Sequence, residues 1–171
     1  GGQEFGWRAG TENVPAIIGF ANALELAHRE KGIENARLIE LRDYFWNQMK
    51  EKIQKVTLNG ADLGDETIRL PNNLNVSILD IEGEAVLLYL DAYHIVCSTG
   101  SACTSDSLDP SHVLLACGLP YEFAHGSIRF TLGKRNTKED IDIVMKYLPE
   151  VIEKLRKISP VNLDRKSTRL N

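Results

Sequence analysis

One stretch of the sequence concentrates side chains that can do chemistry. Residues 97–112 contain Cys97, Cys103 and His112 among serines, threonines and other small residues. Such a segment cannot satisfy its backbone inside a core, so we predict a surface loop that leaves a strand at Cys97. Cys103 lies in mid-loop beside hydroxyl groups, where a thiol can ionise, and is the candidate nucleophile; an ordinary unreactive loop cysteine is the alternative. Cys97 and Cys117 are predicted to be buried and unreactive.

A metal site is the competing interpretation of this region. His94, Cys97, Cys103 and His112 all carry zinc-ligating groups. Their spacing contains no paired Cys-x-x-Cys unit, and a second ligand pair is missing. The sequence therefore predicts no metal site.

Two other positions are suited to binding anions. Arg129 lies on a predicted strand between Ser127 and Gly133, where its guanidinium could clamp a carboxylate through two parallel hydrogen bonds. An arginine that simply faces solvent is the alternative. The turn Gly6–Thr11 precedes a predicted helix, so its backbone N–H groups and the Thr11 hydroxyl could contact a phosphate, although most such glycine-rich turns are only turns.

Apolar periodicity and turn-forming residues predict the elements that position these side chains. Helices are expected over residues 14–30, 34–54 and 83–92, with a break at Gly32, and from Thr137 onward with a bend at Pro149. Strands are expected at residues 56–58, 74–78, 95–97 and 126–132. The second helix is predicted to bury an apolar stripe and to expose its basic residues, Arg37, Arg42, Lys50 and Lys52. Because helices and strands do not alternate strictly, we predict an α+β fold, a mostly antiparallel sheet covered by helices.

Composition excludes several classes of protein. The 171 residues are 43% hydrophobic, enough for a core, and 20 Lys plus Arg against 24 Asp plus Glu give a net charge of -4, which argues against direct nucleic-acid binding. No run of about 18 apolar residues suggests a membrane span. No signal or transit peptide is recognisable, so a cytoplasmic location is expected. Three cysteines, an odd number, exclude a disulfide framework.

Three segments together resemble the carboxy-terminal part of a cysteine desulfurase of the NifS/IscS type. Residues 1–13 resemble the segment that follows the cofactor lysine in that family, residues 98–103 resemble the catalytic-cysteine loop, and residues 126–133 resemble the substrate-arginine strand. The similarity extends over about residues 1–160. The cysteine loop is the most specific of the three motifs, because generic pyridoxal enzymes lack it.

The resemblance implies the small domain of a fold-type-I enzyme that depends on pyridoxal 5'-phosphate. In the family, a thiolate takes sulfur from L-cysteine, leaving L-alanine and an enzyme persulfide that is passed to a sulfur-acceptor scaffold protein for iron–sulfur cluster assembly or tRNA thiolation. Cys103 matches the nucleophile and Arg129 matches the residue that holds the substrate carboxylate. Thr11 matches a hydroxyl that reaches the cofactor phosphate of the neighbouring subunit, which implies a homodimer.

The resemblance also implies how the chain is organised. Residues 1–13 correspond to a remnant of the large cofactor domain, residues 14–31 to an interdomain helix, and residues 32–163 to the small domain with its catalytic-cysteine loop at 98–110. The Schiff-base lysine of the family has a Ser-His-Lys context that occurs nowhere in this sequence. The chain is therefore expected to be a fragment that is inactive alone.

Three local features depart from the family pattern. Phe5 stands where the family usually has arginine, which removes any ion pair there, and Cys117 occupies a position that is usually apolar core. Residues 164–171 match, in all eight codons, the translation of a common sequencing adapter, so this octet is expected to be foreign.

Two alternatives to a desulfurase remain open at this stage. One is a non-enzymatic module that accepts sulfur or docks to a partner and never carried a cofactor domain. The other is a related pyridoxal enzyme that acts on selenocysteine. Persulfide formation on Cys103 from L-cysteine would count against exclusive use of selenocysteine, whereas a start codon directly before Gly1 would favour the module.

Overall fold

The computed structural model of the protein describes residues 1–64, 68–99 and 110–158. The chain divides into two compact units, the first ending at Ala36 and the second beginning at Arg37. After a single 3₁₀ turn at Glu4–Gly6, the elements in chain order are α1 (Val14–Lys52), β1 (Val56–Leu58), β2 (Asn73–Ile78), α2 (Gly83–Asp91), β3 (Ser98–Thr99), α3 (His112–Ala116), α4 (Tyr121–His125), β4 (Ser127–Thr131) and α5 (Lys138–Ile158).

Helix α1 is continuous, whereas the sequence predicted two helices separated at Gly32. That prediction is wrong because glycine keeps its backbone N–H and C=O, so it weakens a helix by about 1 kcal/mol without breaking the hydrogen-bond ladder. The start is as expected, with Pro15 in the first turn. Asn13 caps the helix through its Oδ1, which accepts from the Ala16 N–H at 3.1 Å.

The first unit has no buried core of its own. None of residues 1–36, all of which the structure describes, is buried. Large apolar side chains are exposed there instead, among them Phe5, Trp7, Ile17, Ile18, Phe20 and Leu24.

The second unit contains a four-stranded sheet in the order β1-β2-β4-β3, and every neighbouring pair is antiparallel. One face of this sheet packs against the second half of α1, α2 and α5. The largest apolar side chains of the central strands on that face are Leu74, Val76, Ile78, Ile128 and Phe130, all buried. The predicted α+β fold with an antiparallel sheet covered by helices is confirmed.

Three strands lie where the sequence placed them to within a residue, but β3 does not. It covers Ser98–Thr99 rather than residues 95–97. Ile95 is buried, yet its N–H donates to the Leu90 carbonyl at 3.1 Å and closes the end of α2. Since that N–H is already used, strand pairing begins only after Cys97.

The two long helices bury the stripes that their sequences predicted. On α1 the buried apolar residues are Leu38, Phe45 and Met49, and Phe45 meets Phe130 edge to face at 4.9 Å between ring centroids. Thr137 and Asp140 cap α5 reciprocally: the Thr137 N–H donates to Asp140 Oδ2 at 3.0 Å, and the Asp140 N–H to Thr137 Oγ1 at 3.4 Å. Helix α5 continues through Pro149. The short helices α3 and α4 were not predicted.

The prediction that four basic residues of α1 are exposed is correct for two of them. Lys50 and Lys52 are exposed, whereas Arg37 is partly buried and Arg42 is completely buried. Arg42 follows Leu38 by four residues and precedes Phe45 by three, so it lies on the buried stripe of the helix.

Arg42 is tolerated in this position because the connection between β1 and β2 surrounds it with acceptors. Its Nη2 donates to the Leu63 carbonyl at 3.2 Å and its Nη1 to the Leu70 carbonyl at 3.4 Å. Its guanidinium also pairs with Asp43 Oδ1 at 2.8 Å. A buried guanidinium with several acceptors can cross-link a loop that has little apolar surface of its own.

Arg69 supports the same connection from inside. Its Nη2 donates to the Asn59 carbonyl at 2.6 Å, and its Nε donates to the Ala61 carbonyl at 2.6 Å. Burial, followed by the neighbouring charge of Arg42, lowers the pKa of Arg69. The two arginines therefore stabilise the β1–β2 connection at a desolvation cost.

Among the described residues, no helix is both long enough and apolar enough to cross a membrane.

We predict that Arg42→Ala lowers the free energy of unfolding of this chain by about 3 kcal/mol, because it leaves two loop carbonyls without their charged donor. Urea denaturation followed by circular dichroism measures the change. Lys52→Ala, an exposed substitution on the same helix, is the matched control and should change stability by less than about 0.5 kcal/mol. Equal effects of the two substitutions would show that Arg42 does not cross-link the loop.

Candidate functional site

The second face of the sheet is polar and carries a transverse row of four side chains. Asn75 of β2 is paired in register with Arg129 of β4, and Arg129 with Ser98 of β3. Asn59 follows β1 and continues the row, because its backbone N–H donates to the Asn75 carbonyl at 2.9 Å. Residues paired in register project from the same face of a sheet. We call Asn59, Asn75, Arg129 and Ser98 the polar row.

Hydrogen bonds fix the end of the polar row at β1. Asn59 is buried, and its Nδ2 donates to Asn75 Oδ1 at 2.7 Å and to Ser77 Oγ at 2.9 Å. The Asn75 side chain is thus anchored by a residue that is itself held inside the protein. Neutral amides and hydroxyls make up this end of the row, so it adds no charge beside Arg129.

Arg129 is the charged member of the polar row. It is exposed on β4, an inner strand, between the buried residues Ile128 and Phe130. Its guanidinium has no hydrogen-bond or ion-pair partner within residues 1–64, 68–99 and 110–158. The backbone that carries it is paired on both sides, so a rigid strand presents an available cation to solvent. This geometry accommodates the predicted carboxylate clamp.

Cys103, the predicted nucleophile, lies outside the described residues, as does the rest of segment 100–109. The chain enters this segment from β3, whose Ser98 belongs to the polar row. It leaves the segment at Pro110, and the next residue, Ser111, is buried. The segment that contains Cys103 therefore departs from the strand next to Arg129.

The other two cysteines differ from each other. Cys97 is half-buried against the core, and burial raises the pKa of its thiol to about 11, in line with the prediction that it is unreactive. Cys117 is exposed, so the prediction that it is buried is wrong. Cys117 follows helix α3, which ends at Ala116, and the chain turns at Gly118, whose φ is +85°. Leu114, on the helix itself, is the buried residue of this segment.

Thr11 belongs to the first unit, whereas Arg129 belongs to the second. The Thr11 side chain is exposed, in a turn that is held by local interactions. Arg8 pairs with Glu12, and the Gly10 N–H donates to Gln3 Oε1 at 3.3 Å. Gly10 has a φ of +111°, which a residue with a side chain rarely adopts, so the glycine is required by the turn. An exposed hydroxyl next to a helix start matches the proposed phosphate contact.

The structure gives no support to the zinc alternative in the region it describes. No three His, Cys, Asp or Glu side chains there lie close enough together to hold a metal ion. One of the four residues considered, Cys103, lies outside that region.

Sequence reasoning missed Asn59 and Asn75. The signal was present in Asn73–Ile78, where Asn75 and Ser77 alternate with Leu74 and Val76. This alternation of period two shows that one face of the strand is polar. It could not show that the polar residues line up with Arg129, because the register between strands depends on tertiary structure.

Comparison with protein families identifies the group to which the sequence belongs. The sequence model of the family described as aminotransferase class-V matches residues 2–144. The chain belongs to the class-V aminotransferase family.

The class-V relatives that resemble the chain are named as desulfurases. It is 54% identical over 160 residues to a protein of Dictyoglomus turgidum named cysteine desulfurase IscS, covering 94% of this chain and 40% of the relative. It is 52% identical over 161 residues to cysteine desulfurase IscS 1 of Archaeoglobus fulgidus, covering 94% and 41%. The chain therefore spans about two fifths of the length of these curated relatives.

Solved structures of this class-V group share the fold. A structure titled NifS-like protein matches with a TM-score of 0.73 and 34% identity, covering 91% of this chain and 38% of the other. A NifS-like protein from Rickettsia africae matches with the same TM-score and 30% identity, covering 90% and 38%. The resemblance to the NifS/IscS group and the expected fold are confirmed.

We predict that iodoacetamide modifies Cys117 at least tenfold faster than Cys97 at pH 8. With a pKa of about 11, only about one Cys97 thiol in a thousand is ionised at that pH, whereas Cys117 is exposed. A Cys103→Ser variant of this chain removes the third thiol, and mass spectrometry of peptides reports both rates. Raising the pH to 10 should accelerate modification of Cys97. Equal rates at pH 8 would contradict the burial of Cys97.

Proposed function

We propose that this chain is the carboxy-terminal part of a cysteine desulfurase. The observation that carries the proposal is the 54% identity across 94% of the chain to a relative named cysteine desulfurase IscS. Arg129 supports the same assignment, because it is exposed, has no partner among the described residues and lies beside the strand that leads to Cys103. The activity, substrate and partners below refer to the longer protein that contains this chain.

In this proposal Arg129 binds the carboxylate of L-cysteine. Its position on an inner strand limits the movement of its backbone, and its planar guanidinium offers pairs of parallel N–H donors. A bidentate pair would hold the amino acid by its carboxylate and leave the sulfur at the other end free to react. Within the described residues, no acidic side chain forms an ion pair with Arg129.

Cys103 is the proposed sulfur acceptor. Its thiolate attacks the sulfur of the substrate, so that the carbon–sulfur bond of L-cysteine breaks and a sulfur–sulfur bond forms on Cys103. The β-carbon of the substrate gains a proton in place of the sulfur. The amino acid that remains is L-alanine, and it leaves as the product. The sum of L-cysteine and the Cys103 thiol thus equals L-alanine and a Cys103 persulfide, and no external oxidant or reductant is needed.

Pyridoxal 5'-phosphate is the cofactor implied by the family. The residues present fit one contact with it: the exposed Thr11 hydroxyl, beside a helix start, is a suitable donor to a phosphate oxygen. When bound, the cofactor supplies an electron sink for breaking bonds at the substrate. The lysine that anchors it is proposed to lie in the part of the longer protein that precedes Gly1.

The proposed organisation follows the family. Residues 1–13 would belong to the large domain, residues 14–31 would form the interdomain helix, and residues 32–163 would form the small domain. The exposed apolar side chains of the first unit support a longer, dimeric protein, because soluble monomers seldom leave so many together uncovered. The longer protein would act in the cytoplasm and pass sulfur to a scaffold protein. Residues 164–171 are proposed to be foreign.

We predict that the longer protein, loaded with pyridoxal phosphate, converts L-cysteine to L-alanine and that Cys103→Ala lowers this rate at least a hundredfold, because the sulfur has no acceptor. Alanine release and the mass of the Cys103 peptide measure the two products. Cys117→Ala, which removes an exposed cysteine that has no role in the reaction, is the matched control.

The same preparation separates the alternatives. Persulfide on Cys103 together with an equal amount of alanine supports the desulfurase. Alanine release that is unaffected by Cys103→Ala would overturn the nucleophile. Turnover of selenocysteine without turnover of cysteine would support a selenocysteine lyase, and no binding of pyridoxal phosphate would support a sulfur-accepting module.

A further inference from the structure

We propose that Asn75 is a second donor to the carboxylate of the substrate and that Asn59 is the residue that positions it. The inference rests on the proposed function, since it concerns the site that holds L-cysteine through Arg129. It adds a specificity-determining amide from the strand next to the arginine.

The first argument is register. Asn75 is paired with Arg129 across β2 and β4, and both project from the polar face of the sheet. Side chains paired in this way have Cβ atoms about 5 Å apart. A carboxylate, whose two oxygens are about 2.2 Å apart, is small enough to be reached from both residues at once.

The second argument is the orientation of the Asn75 amide. Its Oδ1 accepts a hydrogen bond of 2.7 Å from Asn59 Nδ2, on the β1 side of the polar row. The Nδ2 group diverges from that oxygen on the same planar amide, so the hydrogen bond from Asn59 leaves Nδ2 for a partner elsewhere on the polar face, where Arg129 also lies. Within the described parts of the chain, the Asn75 Nδ2 group has no acceptor.

The third argument is that the neighbouring Asn75 and Arg129 side chains both present hydrogen-bond donors. Both the Asn75 Nδ2 group and the Arg129 guanidinium are donors, so they cannot satisfy each other. Within the described residues neither donor has an acceptor. A ligand that bridges both must offer two acceptor oxygens, and a carboxylate does so while also matching the positive charge of Arg129. The α-carboxylate of an amino acid fits this requirement, whereas an amide or ester would lose the negative charge.

The fourth argument is the burial of Asn59. It is 3% exposed and bonds to Ser77 Oγ as well as to Asn75 Oδ1, so it holds the Asn75 amide from below the surface. Asn59 does not face the substrate. Its effect passes through the direction in which Asn75 points.

The experiment uses the longer protein, loaded with pyridoxal phosphate, and measures KM for L-cysteine together with the dissociation constant of L-alanine. We expect Asn75→Ala to raise both by about tenfold to thirtyfold with little change in kcat, because the lost bond is made equally in the ground state and in the transition state. Asn75→Asp should raise KM further, since its carboxylate pairs with Arg129 and repels the substrate. This isosteric variant keeps the acceptor for Asn59 and is expected to fold normally.

Ethylamine, which is L-alanine without its carboxylate and so offers Asn75 no acceptor, separates a binding contact from a structural defect. Its dissociation constant should be the same for Asn75→Ala and for the unsubstituted protein, whereas a damaged site would weaken both ligands. Asn73→Ala is the matched control, because Asn73 lies two residues away on the same face of β2 and pairs with Thr131 rather than with Arg129. It should leave KM unchanged.

Asn59→Ala tests the positioning role. We expect it to raise KM by a smaller factor than Asn75→Ala, and adding Asn59→Ala to Asn75→Ala should raise KM no further. If the effects of Asn59→Ala and Asn75→Ala on KM multiply in the double variant, the proposed coupling is overturned. Thermal denaturation of each variant accounts for any loss of folded protein.

The outcomes distinguish this inference from the function on which it rests. If the unsubstituted protein does not release alanine from L-cysteine, the proposed function fails. If it does so and Arg129→Ala raises KM but Asn75→Ala and Asn75→Asp do not, the function stands and the role of Asn75 is overturned. Equal weakening of L-alanine and ethylamine by Asn75→Ala would also overturn it.

Discussion

The register of β2 against β4 determines which side chains of the sheet form the core and which face outward. With Asn75 paired to Arg129, Val76 is paired to the buried Ile128, and Leu74 to the buried Phe130. A shift of one residue would move the apolar set to the polar face and would place Arg129 among the helices. Burial of the apolar side chains therefore also fixes the polar row, and the packing energy of the core holds the proposed site in place.

The remaining elements maintain that register. Glycine is required where α2 and α4 approach the central strands: a Cβ on Gly126 would lie 2.0 Å from the Ile78 carbonyl oxygen, and one on Gly83 would lie 2.5 Å from that of Ser127. On the other side, Arg42 and Arg69 hold the connection that precedes β2. The connection includes Asn59, so the buried arginines and the end of the polar row belong to one stabilised region.

Much of this fold is readable from the sequence, because local patterns determine it. Alternation predicts β2 and β4, and the apolar stripes predict the second half of α1 and all of α5. The prediction failed at Gly32 because glycine keeps the backbone groups of the helix hydrogen-bond ladder. It failed elsewhere because tertiary structure outweighed the local pattern: Arg42 is buried because a distant loop supplies its acceptors, and Ile95 ends α2 instead of starting a strand. Arg129 and, in the other unit, Thr11 are exposed as their proposed roles require, while Asn59 and Asn75 became visible only through register. Cys103 lies outside the described residues, so its place in the site stays a prediction.

The central claim is that the polar row holds an amino-acid carboxylate beside the strand that leads to Cys103. A crystal structure of the longer protein, loaded with pyridoxal phosphate and soaked with L-alanine, tests it most directly. The account predicts one carboxylate bound by both the Arg129 guanidinium and the Asn75 Nδ2 group. A carboxylate bound elsewhere, with the polar row facing only water, would contradict the account.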